Sequence, residues 1–208
     1  MTDQSVILVM ARIDSKTKSE TRLRLLEAAA AHFATHGLDR ANLDELTRAA
    51  GVAKGTLYNY FPSKEELFFA VIAEGARRAA ERYATVEDRG SARERLRALA
   101  EADVSVLREE EAFIKVVVRE AMSFREETYP KILEHLGPYV ARVESVIAEG
   151  ARDGELRQDV PSVQLALMFV GTLTMLYVQH WGSDGAWPAL DDVPDLAVTA
   201  FVEGAGKR

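Results

Sequence analysis

The stretch that most constrains this chain is LDELTRAAGVAKGTLYNYFPSK, residues 43–64. Asn42 stands where a helix N-cap belongs, and Glu45 three residues on completes a capping-box-like pair, so a helix is expected over Leu43–Ala50. Gly51 supplies the left-handed turn that ends it, and Val52 is placed to pin that turn to a core. A second short helix fits Lys54–Tyr60, with Leu57 and Phe61 inward at i, i+4. Pro62 breaks it, Ser63 caps the next helix, and Glu65 and Glu66 fall in that helix's first turn, where its dipole favours them. Two short helices around a glycine turn form a helix-turn-helix. The outward side of the second then holds Lys54, Thr56, Tyr58, Asn59 and Tyr60, which together offer a cation, hydrogen-bonding tips and aromatic bodies suited to a DNA groove. Gly55 leaves the helix start open to close approach by a phosphate.

The rest of the chain reads as helix. From Glu20 to His36 an apolar stripe of Leu23, Leu26, Ala30 and Phe33 ends at Gly37. Residues 1 to about 18 lack a period and read as a mobile arm carrying Lys16 and Lys18, with Met10 a second candidate initiator. A long helix is expected over 64–83, with Leu67, Phe68, Val71 and Ile72 inward and Arg77, Arg78 and Arg82 outward. Further helices are expected over 92–107, 110–127 and 130–152, the last kinked at Gly137-Pro138. Two more are each introduced by Asp-Val-Pro, at 159–161 and 192–194. No strand, tandem repeat or low-complexity tract stands out. The expected fold class is all-α, about nine helices. An N-terminal arm and helix-turn-helix head occupy 1–64, and a ligand-binding and dimerisation domain occupies 65–208, with helix 64–83 connecting them.

Charge sharpens this division. The net charge of −7 alone argues against DNA, but residues 1–64 carry 9 basic against 7 acidic side chains, and the remainder 17 against 26. Phosphate contact is therefore confined to the N-terminal part. With no cysteine there is no disulfide framework, thiolate nucleophile or zinc-thiolate site. The apolar stretch Val6–Met10 has neither the basic start nor the small-residue end of a signal peptide. The longest membrane-span candidate, Val163–Val178, is interrupted by Gln164, Gly171 and threonines. A cytoplasmic protein with no membrane partner is expected. His32 and His36 have an i, i+4 metal spacing without a third ligand, and His135 and His180 lack companions for hydrolytic chemistry. No metal, cofactor or enzymatic activity is expected.

The run GVAKGTLYNYFPSKEEL resembles the signature of the TetR/AcrR family of bacterial transcriptional regulators, over roughly residues 20–72. The resemblance implies a ligand-responsive, sequence-specific DNA-binding regulator, most often a repressor, acting as a homodimer on a palindromic double-stranded operator. It places Lys54 and Tyr58 at base edges or nearby sugar, and Thr56, Tyr60 and Lys64 at phosphates. Asn42 stands where the family usually has a phosphate-contacting hydroxyl residue. Tyr60 can equally pack on the first helix, and Lys64 can be a solvated first-turn residue.

The helix after Pro161 is apolar all round: Leu165, Met168, Phe169, Thr172, Leu173, Leu176 and Tyr177 trace one face, yet Leu167 and others line the opposite one. Such a helix needs cover on both sides. Ala166, Val170, Gly171, Thr174 and Val178, with Val198, Phe201 and Val202 of the last helix, are the expected dimer face; a monomer with a central buried helix is the alternative. Phe113, Val117, Met122, Phe124, Tyr139, Met168, Phe169 and Tyr177 are candidates for lining an effector pocket, with Arg119 and His135 as polar anchors, which points to a lipophilic or aromatic small molecule. The rivals are an activator or effector-independent regulator of the same fold, and a helical interaction module that does not bind DNA.

Overall fold

A computed structural model describes residues 3–205, and side chains over 16–203. Nine helices and no strand occur among the described residues: α1 (Asp3–Arg40), α2 (Leu43–Ala50), α3 (Lys54–Tyr60), α4 (Lys64–Tyr83), α5 (Ala92–Glu109), α6 (Glu111–Ala121), α7 (Tyr129–Arg152), α8 (Ser162–Gly182) and α9 (Val193–Ala205). They form two compact units. The first comprises residues 1–75 and 112–123, and the second 76–111 and 124–208. The division falls inside α4, between Gly75 and Ala76.

The first unit is built on α1. Its helix reaches back to Asp3 instead of starting near Glu20, because neither glycine nor proline interrupts the chain before Gly37. The mobile arm expected there is helical over residues 3–18. Gly37, at φ +73° and ψ 175°, ends the regular run as expected, and a last short turn follows to Arg40. Leu25, Leu26, Ala29, Ala30 and Phe33 of α1 form the core with Leu46 of α2, Leu57 and Phe61 around α3, and Leu67, Phe68, Val71 and Ile72 of α4. Leu23, assigned inward from its spacing, is instead 40% exposed; the buried stripe follows Leu25 and Leu26. Phe33 and Phe68 meet edge to face, with ring centroids 5.1 Å apart. Phe113 of α6 is buried in the same unit and lies against Gly75, where an added Cβ would come within 3.1 Å of Phe113 Cβ.

The second unit packs α5, α7, α8 and α9 around Leu96, Leu99, Val104, Ile132, Val143, Val146, Ile147, Leu165, Phe169, Leu173, Val193 and Val198. Ser91 and Glu94 form a full capping box at the start of α5. Gly150 of α7 approaches α5 so closely that a Cβ there would lie 2.5 Å from Ala92 Cβ. Arg95 of α5, nearly buried, is clamped between Asp88 and Glu149, 2.7 Å from the latter, while Arg142 holds Asp88 at 3.0 Å. Arg78, expected to point outward, is largely covered and pairs with Glu110. The helix predicted over 110–127 stops at Ala121, and residues 122–128 form turns, with Phe124 at φ +52°. α7 carries on through Pro138. α8 is long and apolar enough by length and composition alone to cross a membrane, a test that core helices also pass, because Gln164, Gly171 and its threonines do not interrupt the helix.

Candidate functional site

Local rules build the helix-turn-helix. Asn42 Oδ1 accepts the Asp44 N–H at 2.9 Å, and Gly51 takes the left-handed conformation at φ +67° while its N–H closes on Arg48 O. A further tie comes from α1: His32 Nε2 accepts the Asn42 backbone N–H at 2.9 Å, so this ring carries its proton on Nδ1 and is neutral in this contact. The His36 ring lies 4.4 Å away, and burial, then His36, pull the His32 pKa below 6.5 against the opposing Glu45. Among the described residues no group of three His, Cys, Asp or Glu could hold a metal. Nothing in the sequence pattern marked His32 as a structural latch, because its partner is a backbone group of the next helix.

α3 stands on Leu57, which is fully buried, with Phe61 buried just beyond its end. Its other side is open. Lys54, Gly55 and Asn59 are exposed, Tyr58 is 44% exposed, and Thr56 and Tyr60 are half-buried. Lys54 Nζ lies 2.8 Å from Asp44 Oδ1, and that carboxylate raises the lysine pKa. The cation at the start of α3 is thus held by an acid at the start of α2. Lys64 Nζ donates to Asp39 O at 3.2 Å, placing it at the end of α1. Asn42 has its Oδ1 committed to capping and its Nδ2 directed at Glu45, 3.4 Å away. Tyr60 lies beside Phe61, and the Arg22 guanidinium sits 5.5 Å over the Phe61 ring.

The residues proposed from sequence as a pocket lining scatter. Phe113, Val117, Arg119 and Met122 belong to the first unit, and Phe124, His135, Tyr139, Met168, Phe169 and Tyr177 to the second. Met122, Phe124 and Met168 leave the lining: they are 45%, 70% and 61% exposed, the first two because α6 ends before them and Met168 because it lies on the outer side of α8. Arg119 donates to Ala34 O and Thr35 O, both at 3.1 Å, and so closes the carbonyl end of α1. Phe169 is fully buried against Phe201, with centroids 5.3 Å apart. His135 is half-buried.

Tyr139 and Tyr177 do converge, together with two residues that periodicity had passed over. Tyr83 and Tyr177 each donate a hydroxyl to Asp103, the latter at 2.6 Å, and Tyr139 stacks on Tyr83 with centroids 4.2 Å apart. The apolar lining read from sequence therefore has a carboxyl group within it.

The expected dimer face also changes. Ala166, Val198 and Phe201 point into their own unit and are buried, because α8 and α9 pack on each other through them. Val170, Thr174, Val178 and Val202 are half-buried, and Gly171 is exposed. The apolar residues that remain outside are Val163, Leu167, Met168, Gly171 and Met175 of α8, and Leu196 of α9. Their spacing puts the α8 residues on a single helix face.

Residues 25–71 match the family model described as bacterial regulatory proteins, tetR family, and residues 89–202 match the tetracyclin repressor-like C-terminal domain. The HTH-type transcriptional repressor AcnR of Corynebacterium efficiens is 28% identical over 184 residues, spanning 86% of this chain and 92% of AcnR. The solved structure of FadR from Bacillus subtilis in complex with stearoyl-CoA aligns with a TM-score of 0.78 at 22% identity, over 88% of this chain and 98% of its own. AibR in complex with isovaleryl coenzyme A and operator DNA aligns with a TM-score of 0.73 at 23% identity, over 86% and 97%. Both of these likenesses are of fold.

Proposed function

The chain belongs to the TetR family of bacterial regulatory proteins, ligand-responsive DNA-binding repressors, and from that premise we propose a homodimeric cytoplasmic repressor that leaves a palindromic operator when its second unit takes up a small effector. The observation that carries this reading is the open side of α3, a short helix fixed by Leu57 with Lys54, Tyr58 and Asn59 turned to solvent. In this reading Lys54 and Tyr58 address base edges, with Asn59 beside them. Thr56, Tyr60, Lys64 and the backbone at Gly55 meet phosphates, and Asn42 serves first as a cap. Lys54 must leave Asp44 to reach the duplex, so binding exchanges one ion pair for another and the acid tempers affinity.

Two heads address successive major grooves when their recognition helices stand about 34–36 Å apart. The exposed face of α8, Val163 to Met175 with Val170, Thr174 and Val178 at its margins and Leu196 and Val202 of α9 beside it, supplies the surface for a second copy. An effector favouring a head spacing other than the DNA-bound one shifts the population and weakens binding in proportion to its preference. α4 is suited to transmit that preference, since one uninterrupted helix belongs in part to each unit. FadR with a CoA thioester, and AibR with a CoA thioester and operator DNA, support a regulator that takes both kinds of ligand.

Fluorescence anisotropy with duplexes from upstream of the protein's own gene tests the reading. Affinity is expected to fall by orders of magnitude between about 50 and 200 mM salt, as counterions released by several phosphate contacts require. Absence of binding to every duplex at low salt would remove the proposal.

A further inference from the structure

Asp103 of α5 is enclosed by protein and is met from two other helices by the hydroxyls of Tyr83 and Tyr177, one on each carboxylate oxygen. Among the described residues no lysine, arginine or histidine pairs with it. From α7, Tyr139 stacks on Tyr83 and has its own hydroxyl buried without a hydrogen-bond partner. Asp103 and Tyr83 nevertheless keep part of their surface accessible. Burial raises the carboxyl pKa while the two phenols draw it down.

A purely structural core gains little from this arrangement. A buried carboxylate without a counter-charge and a buried hydroxyl without a partner are both costly. A ligand that brings a positive charge relieves the first, and one that brings an N–H or O–H group relieves the second. Phenol oxygens and ring faces also favour a cation, whereas a carboxylate or phosphate would face Asp103 as a like charge.

We infer that Asp103, with Tyr83, Tyr139 and Tyr177, forms the anchoring site for an organic cation, a protonated amine or quaternary ammonium group on a small apolar body. This rests on the reading of the second unit as the effector-holding part and names the class of effector. Asp103 supplies the charge, Tyr83 and Tyr177 hold its two oxygens in place, and Tyr139 offers its free hydroxyl to the ligand.

Calorimetric titration of the full-length protein with matched probes tests it: choline against 3,3-dimethylbutan-1-ol, and 2-phenylethylammonium against 2-phenylethanol, with stearoyl-CoA alongside. At least one cation is expected to bind about tenfold or more tightly than its neutral counterpart. Asp103→Asn should abolish that preference while the protein still melts cooperatively, and Tyr139→Phe should weaken binding but keep the preference. Equal binding of charged and neutral partners, binding of stearoyl-CoA alone, or an undiminished preference in Asp103→Asn overturns the inference. So does a failure of both cations to bind. Should Asp103→Asn not fold, the wild-type comparison of matched probes decides. Operator binding measured on the same preparation separates the two readings: intact DNA binding without cation binding removes only this inference, and loss of DNA binding removes only the regulator reading.

Discussion

The two units of this chain differ in how their chemistry is assembled. In the first, each working part is set by neighbours a few residues away: Asn42 caps Asp44, Gly51 turns the chain, and Leu57 and Phe61 fix which side of α3 faces inward. In the second, Tyr83, Asp103, Tyr139 and Tyr177 come from four helices and meet only through tertiary packing. The head is a local device whose surface must be the same whatever ligand is present. The second unit gathers distant groups, so the effector site proposed there would change with small changes in packing.

Stability offers the strongest way to break the comparison. Phe33→Ala removes a fully buried ring from the first unit and should cost about 3–5 kcal/mol, whereas Gly150→Ala forces α5 and α7 apart and should cost about 1–3 kcal/mol. Urea unfolding followed by both fluorescence and circular dichroism measures each; a Gly150→Ala protein as stable as the parent would contradict the close approach at Ala92.

DNA contacts come next in size. Lys54→Ala should lose about 1–3 kcal/mol at the base pair it reads and little elsewhere. Lys64→Ala should weaken all duplexes alike and lower the slope of log affinity against log salt by about 0.9. Parallel losses from both variants across a set of base-substituted operators would mean that Lys54 meets phosphate only. Asp44→Asn should tighten DNA binding by a few-fold, since it frees Lys54 from its solvent-exposed ion-pair partner; weaker binding would show that Asp44 positions the lysine for its contact.

The smallest effect is that of pH. His32 has its folded pKa below the ordinary histidine value of 6.5, so the unfolded chain takes up the proton first. Its contribution is fully present above that value and is lost as pH falls through the lower folded pKa. Thermal melts should show this loss, and His32→Gln, whose side-chain oxygen can accept the same Asn42 N–H without titrating, should flatten it. An unchanged pH profile in His32→Gln would place the dependence elsewhere.

These contrasts explain what could be read from the residues alone. The bounds of α2, α3 and α4 were legible because caps, a turn glycine and a proline mark them, and the family resemblance rests on the same stretch. The long start of α1 was not, since residues 3–18 lack an apolar period but contain nothing that stops a helix. On α8 an all-round apolar sequence says that both sides are covered without saying by what. That pattern does not distinguish Ala166, which is buried, from Met168, which is exposed. Asp103 is not legible in the sequence, because a lone acid on a helix gives no sign of the tyrosines that surround it in the fold.

The central claim is that the open side of α3 reads sequence for a two-fold dimer, and selection of bound duplexes from a random pool tests it most directly. Wild-type protein is expected to enrich two inverted half-sites with centres one helical turn, about 10–10.5 base pairs, or a multiple of it apart. Lys54→Ala should relax the preference at one symmetric position in both halves. A pool that stays random under the wild-type protein, or an identical motif from Lys54→Ala, would contradict it.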